Sequence, residues 1–305
     1  FCRGNHKKSF TQEQTTQWFG RDRDQVLLLT LTSKDITRSE RDLAELEGLV
    51  RSAGAYPVAV ERQKAGTFNP QTIWGIGKLQ EVALEIRRKE ASLVITDREL
   101  TPVQARNLER FLACPVMDRS ELILDIFAQR ASSATGRLQV ELAQLRYRKP
   151  RLMGRGKSLS RQGAGIGTRG PGETKLEKDR RTIVRRIERL GRDLKQLKQH
   201  RSRLRNLRKE LPRVALVGYT NAGKSTLFNY LTKENVFVKD QLFATLDTTM
   251  RKCLISNNKN IILSDTVGFI KNLPTELVTS FKTTLDEINY SDYLLHIIDI
   301  SNPEW

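Results

Sequence analysis

The chain has 305 residues, 38% hydrophobic and 29% charged, with a formal net charge of +18. That length holds two domains with separate cores, and the modest apolar share implies much solvated helix. Cys2, Cys114 and Cys253 are too scattered for a disulfide framework or a metal site, and no run of eighteen apolar residues could span a membrane, so the expectation is a cytoplasmic protein in a reducing compartment.

Residues 1–24 show no periodicity and read as a disordered or non-native arm, outside the fold. From residue 25 to 132, strands alternate with helices. Gln25–Ser33, Tyr56–Glu61, Ser92–Asp97 and Pro115–Asp118 read as strands. Ser39–Ala53, Lys78–Lys89, Thr101–Leu112 and an amphipathic Ser120–Arg130 read as helices. The pattern predicts a small parallel α/β domain. Gly75-Ile-Gly77-Lys78 is too short to be claimed as a phosphate loop and reads as a turn and helix cap.

Residues 133–210 follow another rule. Leu138, Leu142, Leu145 and Leu152 share one helical face, and Leu176, Ile183, Ile187, Leu190, Leu194, Leu197 and Leu204 keep a coiled-coil rhythm. A long antiparallel helical hairpin is expected, its second helix running from Glu173 to Lys209, with the glycine-rich stretch 154–172 at its tip. Between Glu141 and Arg213 there are 24 Lys/Arg against 7 Asp/Glu, so this segment holds nearly all of the excess charge. A concentrated basic block suits a polyanion, and nucleic acid outweighs a merely solvated helix. Arg155, Lys157, Arg161 and Arg169 in the tip would meet RNA phosphates and bases, glycine allowing close approach; a flexible linker is the alternative.

Residues 211–305 open with Val214–Val217, a buried strand, then Gly218-Tyr219-Thr220-Asn221-Ala222-Gly223-Lys224-Ser225 and a helix from Thr226. Strand, glycine loop, Lys-Ser and helix form the context in which the Walker A pattern means a phosphate site. Backbone N–H groups would cradle the β-phosphate, Lys224 would reach the β/γ-phosphates, and Ser225 would ligate Mg²⁺. Phe243-Ala244-Thr245-Leu246-Asp247 lies where a first switch belongs. Asp265-Thr266-Val267-Gly268 ends a strand: Asp265 would hold Mg²⁺ through water and Gly268 would offer its N–H to the γ-phosphate. An incomplete P-loop G domain of doubly wound, Ras-like type is expected.

These strings together resemble the HflX family of ribosome-associated GTPases, from about residue 25 onward. Glu121–Ala131, Leu138–Leu145 and Gly165–Thr174 carry the likeness outside the nucleotide motifs. The resemblance implies an α/β domain, a two-helix arm and a G domain. It also implies GTP and Mg²⁺ as ligands, with Thr245 joining Ser225 as a metal ligand and Asn221 helping to hold K⁺. As partner it implies the large (50S) ribosomal subunit and its 23S rRNA, with splitting of stalled 70S ribosomes as the outcome. A monomer is expected. Thr248 departs from the family's usual proline, and Lys175 and Lys178 add charge to the arm.

Phe269 stands where many GTPases carry the glutamine that orients the attacking water, so hydrolysis by the chain alone should be slow. The sequence ends at Trp305 before any Asn-Lys-x-Asp guanine-reading loop. The expectation is a G domain with an exposed, weakly stable far edge. A nucleotide-incompetent RNA-binding fragment and an ATP-dependent RNA remodeller remain the alternatives.

Overall fold

A computed structural model describes residues 24–64, 66, 68–153, 171–206, 211–233, 241–256, 259–271, 273 and 288–301. The tip residues Arg155, Lys157, Arg161 and Arg169, and nearly all of the N-terminal arm, lie outside them. The first sheet is formed by β1 (Gln25–Thr32), β2 (Tyr56–Lys64), β3 (Leu93–Thr96) and β4 (Val116–Asp118), in the order β2-β1-β3-β4 with every neighbour parallel. Central β1 is buried on both faces, as its near-continuous apolar run requires. Val26 and Leu28 pack against α1 (Ile36–Ser52) and α4 (Arg119–Arg130), while Leu27 and Leu29 pack against α2 (Ile76–Arg88) and α3 (Pro102–Leu112). Thr101 and Gln104 close a capping box ahead of Pro102, so the start of α3 was legible from its residues. Gly75 caps α2, as expected of a turn rather than a phosphate loop.

Helix α4 departs from the amphipathic expectation. Every residue from Arg119 to Phe127 is buried, including Glu121 and Asp125. The helix is enclosed by α1, by α5 (Ala134–Met153) and by residues that lie beyond the phosphate loop. A buried polar network closes its N-terminal end: the Asp118 carboxylate caps α4 and accepts from Arg151 at 2.5 Å, from Leu100 N at 3.0 Å and from the Tyr147 hydroxyl. The guanidinium of Arg151 also reaches Glu121 at 2.6 Å and lies 4.4 Å over the Tyr147 ring.

Helix α5 thus lies fastened on the α/β domain, with Val140, Ala143 and Tyr147 in its core. The long α6 (Pro171–Asn206) returns beside α5, burying Leu190, with Ile183, Ile187, Leu194 and Leu197 half-buried along the expected seam. Across the hairpin, Arg186 donates to both Glu141 oxygens at 2.7 and 2.8 Å.

The second sheet has the order β6-β7-β5-β8, from β5 (Arg213–Gly218), β6 (Thr249–Ser256), β7 (Lys259–Asp265) and β8 (Tyr293–Ile297). Strand β6 runs antiparallel to β7, and the other neighbours are parallel. Its charged centre, Arg251-Lys252, hid β6 from the sequence reading. Tyr293, Leu294 and Leu295 on β8 are exposed. Between β5 and β6, α7 (Lys224–Thr232) buries Phe228 against Leu216 and Leu263.

Candidate functional site

The loop from β5 to α7 turns on Gly223, whose φ of +86° suits a residue without Cβ. A cleft of about 390 Å³, open to solvent, lies over the start of α7. Thr220, Asn221, Gly223, Lys224, Ser225 and Thr226 line one side, and Gln241, Phe243, Ala244, Thr245, Thr266 and Gly268 the other. Two distant stretches singled out in the sequence, 241–245 and 266–268, therefore meet the phosphate loop. A Cβ on Gly268 would fall 2.5 Å from Thr220 Cα and 2.9 Å from Lys224 Nζ, so the backbone there must be bare.

Lys224 is buried, and its ammonium donates to the carbonyls of Tyr219 at 2.6 Å and Gly218 at 3.2 Å. Burial lowers its pKa to about 8, with Asp265 pulling the other way. Ser225 Oγ lies 2.6 Å from Asp265 Oδ2 and 2.7 Å from Thr245 Oγ1. Asp265 Oδ1 is buried without a partner among the described residues, and burial raises its pKa against the opposing effects of Ser225 and Lys224. Two hydroxyls and a carboxylate with a spare oxygen form a hard donor set that fits Mg²⁺. Among the described residues no cluster of three His, Cys, Asp or Glu could hold a metal.

Not every sequence candidate faces the cleft. Gly218, Tyr219 and Ala222 shape the loop from behind. Val267 and Leu246 pack into the core shared with the α/β domain, where Leu246 is fully buried. Phe243, with φ of +57°, turns its ring into the same core, edge-on to Phe127 at 4.7 Å. Its N–H donates to Thr220 Oγ1 at 2.8 Å, which keeps a bulky residue in the left-handed region. Phe269 forms a backbone bridge to Tyr219, and its side chain is part exposed.

Asp247 points the other way, toward α5. Its Oδ2 accepts from Ser132 N at 3.0 Å, Ser132 Oγ at 2.7 Å and Ser133 N at 2.7 Å; its Oδ1 accepts from Ser133 Oγ at 2.5 Å. The sequence placed Asp247 with the nucleotide; its carboxylate is committed to Ser132 and Ser133. Neither serine had been singled out, because 114 or 115 residues separate them from Asp247 and nothing local signals the contact.

Three family models cover the chain in sequence. GTP-binding GTPase N-terminal matches residues 40–128, GTP-binding GTPase Middle Region 130–208, and 50S ribosome-binding GTPase 213–305. GTPase HflX of Lacrimispora saccharolytica is 49% identical over 283 residues, covering 92% of this chain and 67% of that protein. The chain belongs to the HflX GTPase family. HflX of Caldanaerobacter subterraneus subsp. tengcongensis is 50% identical over 286 residues, covering 93% of this chain and 66% of that protein. HflX of Escherichia coli is 48% identical over 263 residues, covering 86% and 62%. The chain spans about two thirds of the length of the curated HflX relatives it matches. A solved structure described as SsGBP and GDP complex superposes with a TM-score of 0.53 at 28% identity, covering 92% of this chain and 73% of that one. The α/β fold with a parallel sheet, a helical segment and a P-loop GTPase domain is thus shared with that structure. No helix among the described residues is long and apolar enough to cross a membrane.

Proposed function

We propose that this HflX chain binds and hydrolyses GTP and uses its basic arm to engage the large ribosomal subunit. The convergence of Ser225, Thr245 and Asp265 beside the buried Lys224 carries the reading. Loop N–H groups hold the β-phosphate at the start of α7, Lys224 balances the β/γ charge, and Gly268 brings its N–H to the γ-phosphate. Ser225 and Thr245 would hold Mg²⁺ directly and Asp265 through water; when bound, the ion supplies positive charge toward the phosphate oxygens. Asn221 is the residue for a K⁺ contact. Phe269 cannot orient water, so turnover by the chain alone is slow and a group from elsewhere in the protein or from the ribosome completes the centre.

The units of the reading are 25–132, 133–210 and 211–305, with Arg155, Lys157, Arg161 and Arg169 meeting rRNA at the arm's tip. A factor of this kind acts in the cytoplasm as a ribosome-bound monomer and separates stalled 70S particles into subunits. Sedimentation with 50S subunits and 70S ribosomes tests it, with a non-hydrolysable GTP analogue, the ATP analogue or no nucleotide. Binding enhanced by the GTP analogue, with 70S converted to subunits, is the expected result. Binding that ignores nucleotide and fades steeply with salt would leave only a basic RNA-binding arm. Equal effects of the two analogues would favour the ATP-dependent remodeller.

A further inference from the structure

The 241–247 segment is held from the side opposite the cleft. Ser133 stands at the N-terminus of α5: its Oγ accepts from Gly136 N at 2.8 Å and donates to Asp247 Oδ1. With the two N–H groups and the Ser132 hydroxyl, four donors converge on one carboxylate. The positive end of the α5 dipole adds to their attraction. Burial alone would raise the Asp247 pKa, but these bonds outweigh it and hold the carboxylate below its ordinary range. The fit leaves no spare room, since a Cβ on Gly136 would stand 2.4 Å from Asp247 Oδ1.

Two residues before Asp247, Thr245 Oγ1 lies 2.7 Å from Ser225 Oγ. Leu246, between them, is buried in the core shared with the α/β domain. The backbone from 245 to 247 therefore has one face at the metal-binding oxygens and the other clasped by the root of the arm. We propose that Ser132 and Ser133 are positioning residues of the GTPase centre, acting through Asp247 to hold Thr245 against Ser225 and Asp265. The proposal rests on the GTP reading above. It adds that the arm's root and the γ-phosphate side of the site are set by one short segment.

Three variants of the full chain test this: Ser132→Ala/Ser133→Ala, Ser133→Thr and Gly136→Ala. The measurements are GTP turnover, its dependence on Mg²⁺, and the affinities of fluorescent GDP and of a fluorescent non-hydrolysable GTP analogue. The double alanine variant should lose triphosphate affinity and turnover by roughly ten- to a hundredfold and need more Mg²⁺, with GDP affinity unchanged. Ser133→Thr keeps the hydroxyl and should restore wild-type values. Gly136→Ala is the sharper case. A methyl there meets Asp247 and Ser133 whatever their role, so a purely structural clasp predicts lower stability with wild-type Mg²⁺ dependence and equal effects on GDP and the triphosphate. The positioning role predicts the same triphosphate-specific loss, because the new methyl displaces Asp247. Wild-type Mg²⁺ dependence in the double variant and in Gly136→Ala, or equal losses for GDP and the triphosphate, would overturn the proposal. A wild-type chain that binds neither nucleotide would instead overturn the GTP reading, and this one with it.

Discussion

The hydroxyl of Tyr219 donates to Glu45 Oε2 at 2.5 Å, joining the phosphate loop to α1 across 174 residues of sequence. The same hydroxyl accepts Lys271 N at 2.9 Å, and Arg119 pairs with Glu45 while donating to Lys271 O at 3.0 Å. Burial raises the Tyr219 pKa, so the phenol remains a donor at neutral pH. Tyr219→Phe should cost about 1–3 kcal/mol by leaving Glu45 and Lys271 N short of a partner. Glu45→Ala should cost more, about 3–5 kcal/mol, because it strands the buried Arg119 charge. Urea denaturation followed by circular dichroism measures both.

The depressed pKa of Lys224, about 8, predicts a pH signature in binding. The phosphates require the ammonium, so above pH 8 binding must take up a proton. Affinity for a GTP analogue should then fall by up to about tenfold per pH unit. Lys224→Met should bind weakly, with no such slope. Titration calorimetry between pH 7 and 9.5 would reveal it, and a flat wild-type profile would contradict the assignment.

Asp97, at the end of β3, gives a second pH dependence, in stability. Its Oδ2 accepts from Leu31 N at 3.3 Å, its Oδ1 has no partner among the described residues, and burial raises its pKa to about 6. Between the unfolded value near 3.8 and the folded value near 6, the native state binds more protons than the unfolded one. Its contribution to stability therefore falls as pH rises through that window. Asp97→Asn should be more stable than wild type by about 2–3 kcal/mol at pH 7, the gap closing below pH ~4. Paired thermal melts at pH 4 and pH 7 check the sign.

Gly268→Ala should abolish nucleotide binding without unfolding the α/β domain. Its methyl would press on the Thr220 backbone, 2.5 Å from Cα and 2.8 Å from N, where only the loop itself could yield. Nucleotide affinity and far-ultraviolet circular dichroism, measured together, separate a distorted loop from a lost fold.

Much of this architecture could be read from the residues, because periodicity and turn chemistry are local. The buried run of β1, the Thr101 capping box and the glycine-loop context each lie within one short stretch. What stayed hidden depended on distant partners. Glu121 and Asp125 looked like a solvent face, yet α4 is buried and Arg151 arrives from another helix to neutralise Glu121. The strand β6 carries Arg251 and Lys252 in its centre, which mutes the apolar signal of a strand. Asp247 belonged to a legible motif, but the direction of its carboxylate was set by Ser132 and Ser133.

Helix α5 is tied near its far end by Tyr147 and Arg151 to Asp118, and at its root by Ser132 and Ser133 to Asp247. It is therefore no hinged appendage on the α/β domain. The two form one lever, and the 241–247 segment is the fulcrum on which it bears. Over the 20 residues of α5, about 30 Å of helix, a tilt of ~10° at Asp247 carries the far end roughly 5 Å. Any such tilt would carry the α/β domain along with the arm, because Asp118 holds the far end of α5.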